Sequence, residues 1–408
     1  MFNDGPLDES GNFIGRPLAV LQTIGDKLEL QFEEGLKDLE GALNAPLEGK
    51  SKSKDTNAVQ DVPRQIKSSD ANNPEDLFAD LGDFFGIPNA KAGEPQKSSD
   101  SGSKETANTG KAVAGTGAAA ATCNPSNPNV RFEWDSYSSS DRTAFVTAIK
   151  CLQGKPSGGS QYTGSTNRYE DLISVHRGMT NNIHQTATFL VWHRYFVWVF
   201  EQMLREECGF NRALPWWDET KHAGAFAASD VFTDQWFGHL PAKTSNGQGT
   251  CIESGEFSGT TLHVGPGTAN TNHCLSRAVD ESQTAQCNKD FTNSCLAQTS
   301  YDGFRNCFEL GPHGYGHNGI GAVMAEVSAS VGDPIFFMHH LFVDHTFRIW
   351  QNANPSRKST INGCADKVNP CTPITVDTKL SSNGLRPDLT VGQVLNTLGG
   401  ATCYRYNY

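Results

Sequence analysis

At 408 residues the chain has room for one large domain or two ordinary ones, and with 37% hydrophobic and 10% aromatic residues it can bury a substantial core. Its formal net charge is −12 at pH 7, and an acidic chain without a basic stripe lacks the electrostatic footprint of a nucleic-acid binder. No apolar run of about 18 residues occurs, which excludes a helical membrane span. The charge is uneven, with 20 acidic against 12 basic side chains up to residue 122 and 25 against 21 beyond it. All 11 cysteines lie at or after Cys123, a density that favours disulfides and an oxidising compartment. The count is odd, so at least one thiol stays unpaired, and no pair has the CxxC spacing of a zinc ribbon. A secreted, extracellular protein is therefore expected. Met1-Phe2-Asn3-Asp4-Gly5 opens no secretion signal, so that expectation requires the signal to have been removed.

In chain order, Leu28, Phe32, Leu36, Leu39 and Leu43 recur with the spacing of an amphipathic helix. Asn73 as cap and Pro74 in the first turn predict a second helix to Phe85, with Leu77, Phe78, Leu81, Phe84 and Phe85 on one side. Residues 1–90 thus read as an acidic extension, either packed as an ordinary appendage or shielding the site as a pro-segment. Residues 91–122, rich in Ser, Gly, Ala, Thr and Lys, read as a flexible linker, which places the principal domain at 123–408. There Ser140-Asp141 can cap a helix carrying Phe145, Val146, Ile149 and Leu152. Arg194 to Glu207 reads as a long helix with Phe196, Val199, Phe200 and Leu204 inward. Ala223 to Phe304 has little periodicity and reads as long disulfide-held loops. Asp333 as cap and Pro334 in the first turn predict a further helix, on which His340, Asp344 and Arg348 follow at i+4 steps. Pro373 to Tyr408 holds short mixed runs.

Two sets of three histidines stand out, His176, His184 and His193, then His313, His317 and His340. Three imidazoles without cysteine or carboxylate suit copper or zinc and argue against iron–sulfur and carboxylate-bridged iron chemistry. His313 and His317 stand at i and i+4, one turn apart on a helix face, so they can bind one ion. Gly314 and Gly316 weaken that turn by roughly 1 kcal/mol each relative to alanine, which metal binding or tight packing must outweigh. Helical neighbours point about 100° apart, so spacing alone does not choose between His339 and His340. Asp344 is expected either to receive the far N–H of a ligand imidazole, fixing its tautomer, or to pair with Arg348. His222, His239, His263, His273 and His345 fall in no such pattern and read as surface or satisfied core residues. A zinc hydrolase built on His313 and His317 would carry glutamate directly after the first histidine, and Gly314 stands there instead.

The local sequence chooses between the metals. His184-Gln-Thr-Ala-Thr-Phe-Leu-Val-Trp-His193-Arg194 and Asp333-Pro-Ile-Phe-Phe-Met-His-His340, followed by Asp344, resemble the two copper-binding signatures of the type-3 copper proteins. That family comprises tyrosinases, catechol oxidases and molluscan-type haemocyanins. Leu214-Pro215-Trp216-Trp217-Asp218 resembles the aromatic segment after the first copper site, and Cys403-Tyr404-Arg405-Tyr406 the closing tyrosine motif. The resemblance runs from about Cys123 to Tyr408 and says nothing of the residues before it.

What the resemblance implies is a mainly α fold: a four-helix bundle holding a binuclear site of two copper ions, with long disulfide-linked loops and a few short strands. His176, His184 and His193 would hold one copper. His313, His317 and His340 would hold the other, His340 being selected by alignment with the signature and His339 left as a packed or hydrogen-bonded neighbour. Trp192, Phe196, Trp198, Phe336, Phe337 and Phe342 would surround the ligands. The implied activity is oxidation of o-diphenols to o-quinones with reduction of O2 to water, on a small phenolic substrate, by a monomer or homodimer. Monophenol o-hydroxylation, as in a full tyrosinase, and o-aminophenol oxidation remain open. An O2 carrier is more remote, because carriers in this family are multi-unit and this chain has no internal repeat.

In related enzymes a glutamate and an asparagine near the second copper hold a water that deprotonates phenols, the asparagine directly following the first ligand. Glu309 matches the glutamate, but Gly314 takes the place of the asparagine and Asn318 is its candidate substitute. Strong diphenolase and weak or absent monophenolase activity is therefore expected. Val327, thirteen residues before His340, aligns with the gate residue over the copper, with Gly314 also at the entrance, and should admit bulkier phenols than phenylalanine would. Arg177 to Ile183 contains no cysteine for the thioether bridge found in several relatives, so none is expected. The shielding C-terminal domain of latent relatives is likewise not expected.

Overall fold

The computed structural model describes residues 123–407 apart from 245–248. The two expected N-terminal helices, the linker and its boundary lie outside the described residues. Helix α1, Ser139–Gln153, starts where the Ser138 hydroxyl accepts the Asp141 N–H, two residues ahead of the expected cap, and buries Phe145, Val146, Ile149 and Leu152 as its apolar spacing demands. Helix α2, Arg168–Ile183, is capped by Asn167, whose side chain accepts the Glu170 N–H. Helix α3, Phe189–Cys208, begins five residues before Arg194, because the Phe189-to-His193 run is helical and buried. It stops at Gly209, whose left-handed φ of 67° lets its N–H reach Arg205 O.

The region read as loops holds, besides a single helical turn at Glu281–Thr284, two helices, α4 Lys289–Leu296 and α5 Tyr301–Phe308. Each is too short to show apolar periodicity, but each has a side-chain cap, Asn288 to Phe291 N–H and Ser300 to Gly303 N–H. The remainder of that stretch is loop with short 3-10 turns and two-residue strand pairs, tied by Cys251–Cys274, with Cys295–Cys307 joining α4 to α5. Helix α5 runs through a π-type turn, Glu309–His313, broken at Gly311 (φ −93°, ψ −117°), into α6, Gly314–Ile320. Helix α7, Ile335–Asn352, begins after Asp333, which accepts the Ile335 N–H while pairing with buried Arg277 at 2.6 Å.

Helices α2, α3, α5–α6 and α7 make the four-helix bundle. Helices α3 and α7 form its centre, where Phe200 and Phe337 stack with ring centroids 3.7 Å apart. A helix apolar on every side has to be enclosed, and α7 is buried from Ile335 through Arg348. Two short strands, β1 Asn129–Arg131 and β2 Tyr404–Tyr406, pair in parallel, and Cys123–Cys403 closes the same junction. Cys151–Cys208 and Cys364–Cys371 complete five disulfides among the described residues, leaving Cys287 buried and unpaired, as the odd count requires.

Asp344 corrects an expectation. Its carboxylate receives Arg194 Nε at 2.5 Å, Arg131 Nη1 at 3.4 Å and the hydroxyls of Tyr404 and Tyr406, so it binds strands β1 and β2 to α3 and α7 and is not spent on a ligand imidazole. Burial opposes its ionisation, but Arg194 and then Arg131 outweigh that and hold its pKa below the ordinary value.

Candidate metal centre

Helix α2 supplies His176 and, at its C-terminal edge, His184, while α3 supplies His193. Their ring centroids lie 5.0 to 5.6 Å apart, and His176 Nε2 is 3.5 Å from His193 Nε2. The π-type turn supplies His313, α6 His317, and α7 both His339 and His340. His313, His317 and His340 have centroids 4.6 to 5.6 Å apart. In each set one nitrogen per residue lies within 4.8 Å of the others, and His339 joins the second set on the same criterion. The sets abut, the rings of His193 and His340 stacking 4.3 Å apart with planes 8° from parallel.

Backbone carbonyls aim these rings. The Nδ1 atoms of His176, His184, His193, His313 and His317 face the carbonyls of Ser328, Thr180, Phe189, Glu309 and Met324 at 2.7 to 3.0 Å. A carbonyl only accepts, so each Nδ1 carries the hydrogen and each Nε2 keeps its lone pair for a metal. This is the orienting role that Asp344 was expected to fill. Burial comes first in lowering every one of these pKa values, His176 to about 4, and keeps the imidazoles in the neutral, ligating form. His313 Nε2, His339 Nε2 and both nitrogens of His340 are buried without a hydrogen-bond partner. Such atoms cost roughly 1–3 kcal/mol each when left unmet, which a metal ion would offset. An all-imidazole donor set of this kind fits copper.

His339 Nδ1 meets Glu219 Oε1 at 2.6 Å, both side chains wholly buried. Burial raises the Glu219 pKa well above its ordinary value and lowers that of His339 to about 3. This pair accounts for Gly316, where a Cβ would come within 2.6 Å of His339 Cε1 and 3.0 Å of Glu219 Oε2. Glu219 was not anticipated, because nothing in its local sequence marks a partner 120 residues away.

The aromatic surround is partly as expected. Phe336 lies 4.2 Å from the His340 ring, Trp192 5.0 Å from His193 and Phe196 6.2 Å from His176. Phe337, Phe342 and Trp198 pack on Phe200, Phe308 and Tyr195 as core. Phe189, unremarked in the sequence, lies 4.7 Å from both His193 and His313. The signal was present, since Phe189 precedes His193 by four residues as Phe336 precedes His340.

His184 and His317 are partly exposed, while His176, His193, His313, His339 and His340 are buried. Val327 is 38% exposed, and Gly314 and Asn318 on α6 are half-buried. Glu309 is buried, its Oε1 accepting the Gln185 N–H at 2.5 Å and its Oε2 accepting Arg305 at 3.1 Å. Burial pushes its carboxyl up to about 7 against the pull of Arg305.

Comparison with known proteins agrees with this geometry. Residues 166–353 match the common central domain of tyrosinase, a span that includes every histidine of both sets. Tyrosinase ustQ of Aspergillus flavus is 31% identical over 290 residues, 69% of this chain and 80% of that protein. N-acetyl-6-hydroxytryptophan oxidase ivoB of Emericella nidulans is 29% identical over 343 residues, 70% and 93% of the two chains. Among solved structures, polyphenol oxidase from Thermothelomyces thermophila superposes with a TM-score of 0.63 at 27% identity, covering 70% of this chain and 91% of its own. The chain belongs to the tyrosinase family of type-3 copper oxidases.

Proposed function

We propose that this protein oxidises o-diphenols to o-quinones at a pair of copper ions, reducing O2 to water. His176, His184 and His193 would hold one ion and His313, His317 and His340 the other. Copper bound there would supply dioxygen binding and the redox step. The observation that carries the reading is the contact between the two histidine sets, with His193 and His340 stacked at 4.3 Å.

The chain's own residues contribute position and enclosure. Carbonyl-held Nδ1 atoms fix five rings, Phe189 and Phe336 exclude water from the inner side, and the exposed edges of His184 and His317 leave a way in for an aromatic ring. Val327 and Gly314 are the proposed gate residues. Deprotonating a monophenol needs a base beside the bound ring. Both oxygens of Glu309 already accept a hydrogen bond, Gly314 offers no side-chain amide, and Asn318 stands a full turn further on, which supports diphenol over monophenol oxidation. The name of the Emericella relative extends the candidate substrates to hydroxylated indoles. Five disulfides support an extracellular setting. Confinement of cysteine to the chain beyond residue 122 supports the division into extension, linker and oxidase domain.

The test is copper content per chain, followed by oxidation rates of methylcatechol and tyramine by the copper-loaded full chain. Rapid oxidation of methylcatechol and slow, lagging oxidation of tyramine are expected. Tyramine oxidised as fast without a lag would overturn the diphenolase assignment, and a single copper per chain would overturn the paired site.

A further inference from the structure

One cation beside the first histidine set has no carboxylate in ion-pair contact among the described residues. Lys367 Nζ lies 3.5 Å from Gln185 Oε1, and Gln185 is the residue that directly follows His184 and donates its N–H to Glu309. Gln185 thereby joins Lys367 to His184, its chain neighbour in the first histidine set, and to Glu309, one turn before His313 of the second. Lys367 therefore sits at the seam between the sets, on the side where His184 is exposed.

The loop that carries it is fastened in place. Cys364–Cys371 closes it, Cys364 O accepts the Ala187 N–H at 2.7 Å, and Ala365 N–H donates to Thr372 O at 2.7 Å. Gly363, at a φ of 115°, lets the loop approach so closely that a Cβ there would come within 2.8 Å of Ala187 Cβ. The nearby carboxylates are committed elsewhere. Asp366 accepts the N–H groups of Val368 and Thr372, Glu309 is held by Arg305, and Asp302 pairs with the same arginine at 2.6 Å. Among the described residues no carboxylate oxygen lies within ion-pair distance of Lys367. Val368 beside it is 65% exposed, offering apolar surface next to the charge. A disulfide-closed loop that presents an ammonium with no carboxylate in contact, beside the residue that follows His184, is arranged to meet an anion carried by the ring.

We infer that Lys367 is a specificity residue that binds a carboxylate on the side arm of the phenolic substrate, so that the preferred substrates are anionic phenols. The inference rests on the proposed phenol-oxidase reading. An ammonium–carboxylate contact at a half-exposed site contributes at the level of a charged hydrogen bond, enough for a preference of about five- to tenfold. The preference appears mainly in KM and weakens as salt rises.

The test compares kcat/KM for dihydrocaffeate, methylcatechol and dopamine, which present an anion, no charge and a cation, using the copper-loaded full chain and its Lys367→Gln, Lys367→Glu and Lys367→Arg variants. The ratio of dihydrocaffeate to dopamine within one preparation does not depend on how much of it is active. That ratio should exceed one in the original chain, fall about five- to tenfold in Lys367→Gln, invert in Lys367→Glu and be largely kept by Lys367→Arg. Equal ratios across all four proteins that oxidise these catechols would overturn the Lys367 inference alone. Failure of the copper-loaded original chain to oxidise any of the three would overturn the phenol-oxidase reading and the inference with it.

Discussion

His345 lies flat on Trp216, with ring centroids 3.7 Å apart, five residues beyond His340 on α7. Burial lowers its pKa from 6.5 to about 4, with Asp218 and then Asp344 opposing the shift. Between those values the unfolded chain binds a proton that the folded chain refuses. The stability contributed by the neutral ring is therefore complete above pH 6.5 and is lost as pH falls through about 4, a change on the order of 3 kcal/mol. His345→Phe keeps a ring on Trp216 and removes the proton site. Urea unfolding of metal-free protein at roughly pH 7 and pH 4.5 should show a smaller acid loss in the variant, by about 2 kcal/mol. An unchanged acid loss would show that His345 protonates freely in the fold. Such environments are poorly legible in sequence: His345 read as an ordinary histidine because its stacking partner is 129 residues away. His339 and His340 show the same limit, since the turn of the helix places both near the second set and tertiary neighbours, Glu219 for one and His193 for the other, tell them apart.

Helix α6 shows what an element can and cannot disclose. The i, i+4 spacing of His313 and His317 announced a shared face, and the two intervening glycines announced a cost that something else had to offset. The structure divides those glycines. Gly316 has the Glu219–His339 pair against it, whereas a Cβ at Gly314 would meet only Glu309 O at 3.4 Å. Gly314→Ala should accordingly raise the thermal stability of metal-free protein, by up to about 1 kcal/mol. Gly316→Ala should lower it by about 1–3 kcal/mol, the usual scale for overpacking, and should weaken copper retention as measured by dialysis against a chelator. Equal effects of the two substitutions would remove the packing explanation. Elements with strong apolar stripes, α1 and α3, were legible to within a few residues, while α4 and α5 were not. Eight residues and one side-chain cap give a helix whose existence is decided by its neighbours and the Cys295–Cys307 bond.

At the scale of the molecule, the two ends of the described region meet across 280 positions at Cys123–Cys403 and in the β1–β2 pairing, and no local pattern could have announced that. The tyrosine motif was visible as a motif, but its task was not. Tyr404 and Tyr406 give their hydroxyls to Asp344 of α7, and the Arg131 guanidinium lies 3.4 Å above the Tyr404 ring while donating to Glu201 of α3 at 2.8 Å. One buried carboxylate thus links both ends of the domain to the two helices that carry His193 and His340. Arg131 has Glu201 as a second anion, but Arg194 relies on Asp344 for its charge, its other partners being Gln351 and the Val394 and Leu395 carbonyls. Asp344→Asn keeps the shape and removes the charge, leaving Arg194 buried without an anion, an error that costs about 3–5 kcal/mol when one partner of a buried pair is removed. The exposed Lys150–Glu256 pair serves as the control, since Lys150→Gln should change stability by less than about 1 kcal/mol. Urea and thermal unfolding of the two variants should differ accordingly, with Asp344→Asn losing copper at lower denaturant because α3 and α7 part together. If Asp344→Asn unfolds within about 1 kcal/mol of the unsubstituted chain, the linkage of β1 and β2 to α3 and α7 resides in the Cys123–Cys403 bond and the strand pairing.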